Sequence, residues 1–132
     1  PVLTAVTAGA GFVARGFSGS PQHLKEIMKR AILFRGYAMV DILQPCVSFN
    51  KVNTFAWYKQ RVYELDGSHD AADRLRAMEK AMEFGDRIPI GVLYESPRPT
   101  YHDRHPTLKA GQVLAGRRND PALISRFIRE LM

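Results

Sequence analysis

Apolar residues first fall into a clear rhythm after Ser20. Leu24, Ile27, Met28, Ala31 and Ile32 share one helical stripe, while Lys25, Glu26, Lys29 and Arg30 occupy the other side. The spacing predicts a helix over 20–35. Ser20 is placed to accept from the free first-turn amides, Pro21 suits the first helical position, and Gly36 suits a left-handed cap. Residues 37–43 are nearly continuous in apolar character, as in a strand covered on both faces, and Pro45 stops them. A shorter strand is predicted over 11–15. Strand, helix, strand implies a right-handed parallel crossover.

Further along, a helix starting at Asn53 or Thr54 would put Phe55, Tyr58, Val62 and Leu65 on one face. Another is predicted over 70–84, with Leu75, Met78 and Met82 inward and Gly85 as its stop. Residues 88–94 read as a strand that Pro89 and Gly91 push toward an edge or a bulge. Residues 96–119 turn polar, with Pro97, Pro99, Pro106, Gly111 and Gly116, and read as an arm. Asp120 and Pro121 then open a last amphipathic helix carrying Ile124, Phe127, Ile128 and Leu131. The layout is α/β: a partial domain over 1–95, then the arm and helix over 96–132. Three parallel strands make a poor sheet by themselves, so the pattern is that of the second half of a larger doubly wound domain.

Composition narrows the reading. At 132 residues, 45% hydrophobic and 24% charged, the chain is ordinary globular material for one domain or part of one. No apolar run approaches the roughly 18 residues of a membrane span. Cys46 is the single cysteine, which excludes an intramolecular disulfide and a stapled secreted module. The chain opens at Pro1 with no Met, no basic leader and no long apolar stretch, so the expectation is a processed or excised cytoplasmic chain without a signal peptide. Lys and Arg number 19 against 13 Asp and Glu, a balance of +6 that suits either a soluble surface or an acidic partner. A basic nucleic-acid-binding module is the alternative class, with Arg98, Arg104, Lys109, Arg117 and Arg118 as its support. The absence of a reading helix or stacking motif argues against it.

Candidate chemistry is sparse. Gly9, Gly11 and Ala14 fit G-x-G-x-x-A on paper, but the glycines lead into a strand rather than a helix start, so a dinucleotide site is not expected. His23, His69, His102 and His105 lack metal spacing, and His102 with His105 has no second ligand pair. Cys46 lies just past the carboxyl end of the best strand, where α/β sheets place functional groups. By itself it reads first as an inert half-buried thiol, and only second as one ligand of a set completed elsewhere.

The run Gly11-Phe12-Val13-Ala14-Arg15-Gly16-Phe17-Ser18-Gly19 resembles F-V-A-R-G-F-S-G, with His23-Leu24-Lys25 following in the next helix. Residues 43–50, Leu-Gln-Pro-Cys-Val-Ser-Phe-Asn, resemble L-Q-P-C-V-T-F-N, with Ser48 where threonine is usual. Trp57-Tyr58-Lys59 and Asp86-Arg87-Ile88-Pro89-Ile90-Gly91 continue the series in order. Together, over residues 1–101, they resemble the C-terminal half of the β subunit of 2-oxoacid:ferredoxin oxidoreductases.

That resemblance implies the C-terminal part of a three-layer thiamine-diphosphate-binding fold with a mostly parallel sheet. It implies oxidative decarboxylation of a 2-oxoacid to acyl-CoA and CO₂, with electrons passed through a 4Fe–4S cluster to ferredoxin. Thiamine diphosphate, Mg²⁺ and the cluster are its cofactors; an α subunit, ferredoxin, the 2-oxoacid and coenzyme A are its partners. The family's G-D-G and C-x-x-C segments are absent from this sequence, so the chain is expected to be the downstream half, catalytically silent alone. Cys46 matches the remote fourth cluster ligand; in this chain alone it is expected to be a free thiol with no cofactor bound. Exposed sheet edges would favour self-association. A small stand-alone subunit that donates Cys46 to a shared cluster is the variant of this reading.

Overall fold

The computed structural model describes residues 1–111, 114–116 and 120–131. They form two compact units, Pro1–Arg98 and Pro99–Met132. In the first, the order is α1 (Val2–Ala8), β1 (Phe12–Phe17), α2 (Pro21–Leu33), β2 (Ala38–Leu43), α3 (Phe55–Lys59), β3 (Val62–Glu64), α4 (Arg74–Met82) and β4 (Ile88–Glu95).

The four strands make one sheet in the order β2-β1-β4-β3. β1 pairs with β2 in parallel, from Phe12↔Ala38 to Phe17↔Leu43, as strand–helix–strand spacing requires. β4 runs parallel to β3 but antiparallel to β1. The sheet is therefore mixed and mostly parallel, and β4 lies inside it rather than at an edge. The expected bulge is present: Val13 faces Tyr94 while Ala14 faces Val92, so Leu93 is the extra residue. Pro89 is tolerated because the β1–β4 register stops at Arg15↔Gly91, short of the proline. Gly91 has φ +135°, and a Cβ there would stand 3.2 Å from Leu65.

Both faces of β1 are covered, and all six of its residues are buried. On one face Val13 and Leu93 pack with Val2 and Val6 of α1 and with Ala77 and Ala81 of α4. On the other, Phe12, Ala14 and Val92 pack with Ile27 of α2. A third cluster of Phe17, Leu43, Ile88 and Ile90 fills the end of the sheet at which β1 and β2 finish.

Several local expectations are corrected. The segment after Thr54 is helical only to Lys59; Val62–Glu64 then pairs with Ile88–Ile90. Ladder bonds and β-favouring Val62 and Tyr63 override the helical spacing of Val62 and Leu65. α4 turns Ala77 and Ala81 inward and leaves Leu75 and Met82 exposed, because small residues let it lie close to β4 and α1. Met78 does pack on the core. Asp73, whose side chain accepts from Leu75 and Arg76, starts this helix later than expected. Ser20 makes no capping bond, and α2 ends at extended Phe34 rather than at a left-handed Gly36. α1 is not predicted by the sequence, because its seven residues carry only a short apolar pattern. It closes on Gly9 at φ 85°, ψ 31°.

The second unit holds α5 (Tyr101–Arg104), α6 (Pro106–Lys109), a 3₁₀ turn at Leu114–Gly116 and α7 (Pro121–Leu131). Thr100 and Asp103 form a reciprocal capping box on α5. The last helix starts where expected, with Asp120 accepting from the Ala122 amide at 2.9 Å. Parts of the expected arm, at 112–113 and 117–119, lie outside the described residues.

Arg15 is the one buried charged residue among those described, 4% exposed in the middle of the sheet. Its Nε faces Asp41 Oδ2 at 3.4 Å across the β1–β2 register. Nη2 donates to Ala81 O at 3.2 Å and Nη1 to Glu83 O at 3.5 Å. Those carbonyls end α4, where helical partners run out and a cation is favoured. Arg15→Ala should therefore cost about 3 kcal/mol in urea unfolding, since it strands a carboxylate and two carbonyls. A loss under about 0.5 kcal/mol would contradict this role. Gly91→Ala should cost about 1 kcal/mol or more, for backbone reasons alone.

Candidate functional site around Cys46

Parallel pairing brings the carboxyl ends of β1 and β2 together at one end of the sheet. The Ser18 amide and hydroxyl both donate to Leu43 O, at 3.1 and 3.3 Å, and tie the two exits to each other. Pro45 is buried, and the next residue, Cys46, comes out exposed. The backbone then folds around the sulfur. The Asn50 amide donates to Cys46 O at 3.1 Å, and the Phe49 amide points at Cys46 Sγ at 3.5 Å. Asn50 Oδ1 accepts from Val52 and Asn53, and Lys51 Nζ donates to Val47 O at 2.7 Å.

The far end of this loop is anchored on aromatic residues. Thr54 caps α3 through Trp57 N. Phe55 and Tyr58 of α3 stack on buried Phe17, with ring centroids 5.9 and 5.8 Å away. Arg61 lies over Trp57 at 4.3 Å and donates to its carbonyl. Loop residues 46–53 thus hang between a proline-fixed strand end and an aromatic footing. Their outer surface carries three largely exposed apolar side chains, Val47, Phe49 and Val52, among exposed Ser48, Asn50 and Lys51.

The Cys46 thiol is held below its usual range, first by the Phe49 amide and next by that of Ser48, with Asn50 adding a smaller share. Amides aimed at sulfur favour the anion. The loop presents an exposed thiolate-prone sulfur, which is a soft ligand for iron or another thiophilic metal.

The other candidates divide differently. Gly9 ends a helix and Gly11 admits the Phe34 ring, where a Cβ would stand at 2.9 Å, so the glycines serve the entry to β1. His69 Nε2 lies 2.8 Å from Leu93 O, a structural tie. Tyr101 makes ring contacts with both His102 and His105, and His23 sits in the first turns of α2. Among the described residues, no three His, Cys, Asp or Glu converge as metal ligands. A second polar cluster has no signature in the sequence. In it Lys80 Nζ reaches Glu83 at 2.5 Å and the Tyr63 hydroxyl at 3.0 Å, while Tyr63 also bonds Glu83. Burial pushes Glu83 up, but hydrogen bonds from Lys80 and Tyr63 outweigh it and leave the carboxyl lowered. Lys80 and Glu83 are three residues apart in the chain, and the fold brings Tyr63 of β3 to them.

A mixed α/β sheet with an exposed cysteine loop at the shared carboxyl end of two parallel strands defines part of an α/β domain. Comparison with known proteins makes this specific. Residues 46–110 match the family described as the C terminal of the pyruvate ferredoxin oxidoreductase beta subunit. The β subunit of a Sulfolobus 2-oxoacid:ferredoxin oxidoreductase is 40% identical, over 79% of this chain and 38% of the relative. The β subunit of the second such enzyme of Aeropyrum pernix is also 40% identical, over 87% of this chain and 41% of the relative. A solved structure of 2-oxoglutarate:ferredoxin oxidoreductase from Magnetococcus marinus, with 2-oxoglutarate, coenzyme A and succinyl-CoA bound, superposes with a TM-score of 0.80. It shares 32% identity over 96% of this chain and 43% of that one. The chain belongs to the family of 2-oxoacid:ferredoxin oxidoreductase β subunits and spans about two fifths of the length of these relatives. Among the described residues, no helix is long and apolar enough to cross a membrane.

The lowered thiol gives a test with a definite sign. Alkylation of Cys46 by iodoacetamide should rise with pH around a midpoint below that of a free peptide spanning 44–51. The folded loop then gains stability from the thiolate above the unfolded thiol's pKa, and loses it as pH falls through the folded one. Coincident midpoints for chain and peptide would show that the amides do not act on the sulfur.

Proposed function

We propose that this chain is the C-terminal region of the β subunit of an enzyme that oxidatively decarboxylates a 2-oxoacid to acyl-CoA and CO₂ and passes the electrons to ferredoxin. In this reading Cys46 is one ligand of a 4Fe–4S cluster. The observation that carries it is the exposed Cys46 sulfur, wrapped by its own loop amides at the strand end, in a chain of this family.

The residues fit the cluster. Thiolates are its usual ligands, and amide donors to sulfur are among the levers that set its potential. A single cysteine supplies one position, so the other ligands come from outside this sequence. When bound, the cluster carries single electrons and thiamine diphosphate with Mg²⁺ supplies the decarboxylation chemistry. This chain's own part is to hold one sulfur in place. Pro45 fixes the exit from β2, the Phe49 amide steadies the anion, and the aromatic footing under α3 limits how far the loop can move. The enzyme is completed by an α subunit. The surplus of basic residues suits an acidic electron acceptor such as ferredoxin. No thiamine contact is assigned to any residue here, and the chain alone is expected to be inactive.

Cys46→Ser in the full-length β subunit, assembled with its α subunit, should lower iron content and abolish the cluster's reduced-state EPR signal. Reduction of ferredoxin should fall with it. Unchanged iron and an unchanged signal would contradict the assignment of Cys46.

A further inference from the structure

Helix α2 buries only part of its apolar pattern. Ile27 faces the sheet at 4% exposure, but Met28, Ile32 and Leu33 are 43%, 79% and 70% exposed. Two parallel i, i+4 rows form this outer surface: Leu24, Met28 and Ile32 in one, Lys25, Lys29 and Leu33 in the next. They border a groove of about 580 Å³. No acidic residue lines it. Among the described residues neither lysine is in an ion pair, whereas Arg30, on another side of the helix, is paired with Glu95 at 2.6 Å.

We propose that this face of α2 is a docking surface for an acidic amphipathic helix of another polypeptide. Shape and charge both favour such an occupant. Rows at i, i+4 accept the side-chain ridge of a second helix, and three exposed aliphatic side chains give that ridge something to cover. Lys25 and Lys29 stand one turn apart beside the apolar row, so a partner with carboxylates flanking its own apolar stripe meets both cations. Such a partner removes apolar surface from water and neutralises two unpaired charges at once. A second copy of this chain meets the groove less well. The longest other amphipathic helix, α7, carries Arg126 and Arg129 against Glu130 alone, and Arg126 already holds that carboxylate.

The test uses the full-length β subunit, assembled with its α subunit, and two synthetic helical peptides that share one leucine stripe, one flanked by glutamates and the other by lysines. Fluorescence anisotropy should show the glutamate peptide binding at least about tenfold more tightly, with the gap closing as salt is raised. Ile32→Asp should abolish that binding without changing the circular dichroism, since the residue is exposed. The Lys25→Glu, Lys29→Glu double variant should reverse the preference, an outcome that simple unfolding cannot produce. Equal binding of the two peptides, or binding of neither, would overturn the proposal. So would a concentration-dependent dimer that Ile32→Asp dissolves, because a second copy would then be the occupant.

Discussion

The fold depends on a guanidinium placed where the sheet has no water. Arg15 sits in the central strand and reaches three ways: to Asp41 on β2, and to the Ala81 and Glu83 carbonyls that close α4. A buried charge is costly unless every direction around it is met. Meeting these directions ties the register of β1 and β2 to the place where α4 stops and the chain turns toward β4. The loops at that end of the sheet inherit their positions from this arrangement.

Cys46 is one such consequence. Its exposure follows from β2 ending against β1 at Leu43 and from the buried proline that follows. Its chemistry follows from the amides of Ser48, Phe49 and Asn50, which turn back on the sulfur. On the proposed reading, these amides and the proline hold the sulfur in place as a ligand. An organised ligand loses less freedom when it binds, which is how a scaffold makes one donor count toward a site shared with other segments.

Much of this is legible in the sequence where local signals agree with tertiary needs. β1, α2, β2, β4 and α7 all carry strong patterns, and the motifs around Phe12 and Cys46 point to the family. The failures are of one kind. Val62 and Leu65 have helical spacing, yet Val62–Glu64 serves as a strand because β4 offers an edge that the sequence cannot show. Leu75 and Met82 look like core, yet Ala77 and Ala81 are inside because close approach to β4 and α1 matters more than side-chain size. Pro89 marks an edge in isolation, but register shields it. Cys46 itself is visible, while the amides around its sulfur are not, since they depend on loop geometry rather than residue type. Arg15 stands inside a recognised motif with no hint of its three partners.

The most direct test replaces one atom. Selenocysteine at position 46 of the full-length β subunit, assembled with its α subunit and loaded with iron and sulfide, can be probed at the selenium absorption edge. If Cys46 is a cluster ligand, iron lies at bonding distance from the selenium. A selenium surrounded only by carbon, with the cluster otherwise intact, would show that Cys46 is not a ligand and would remove the chemical role assigned to its loop.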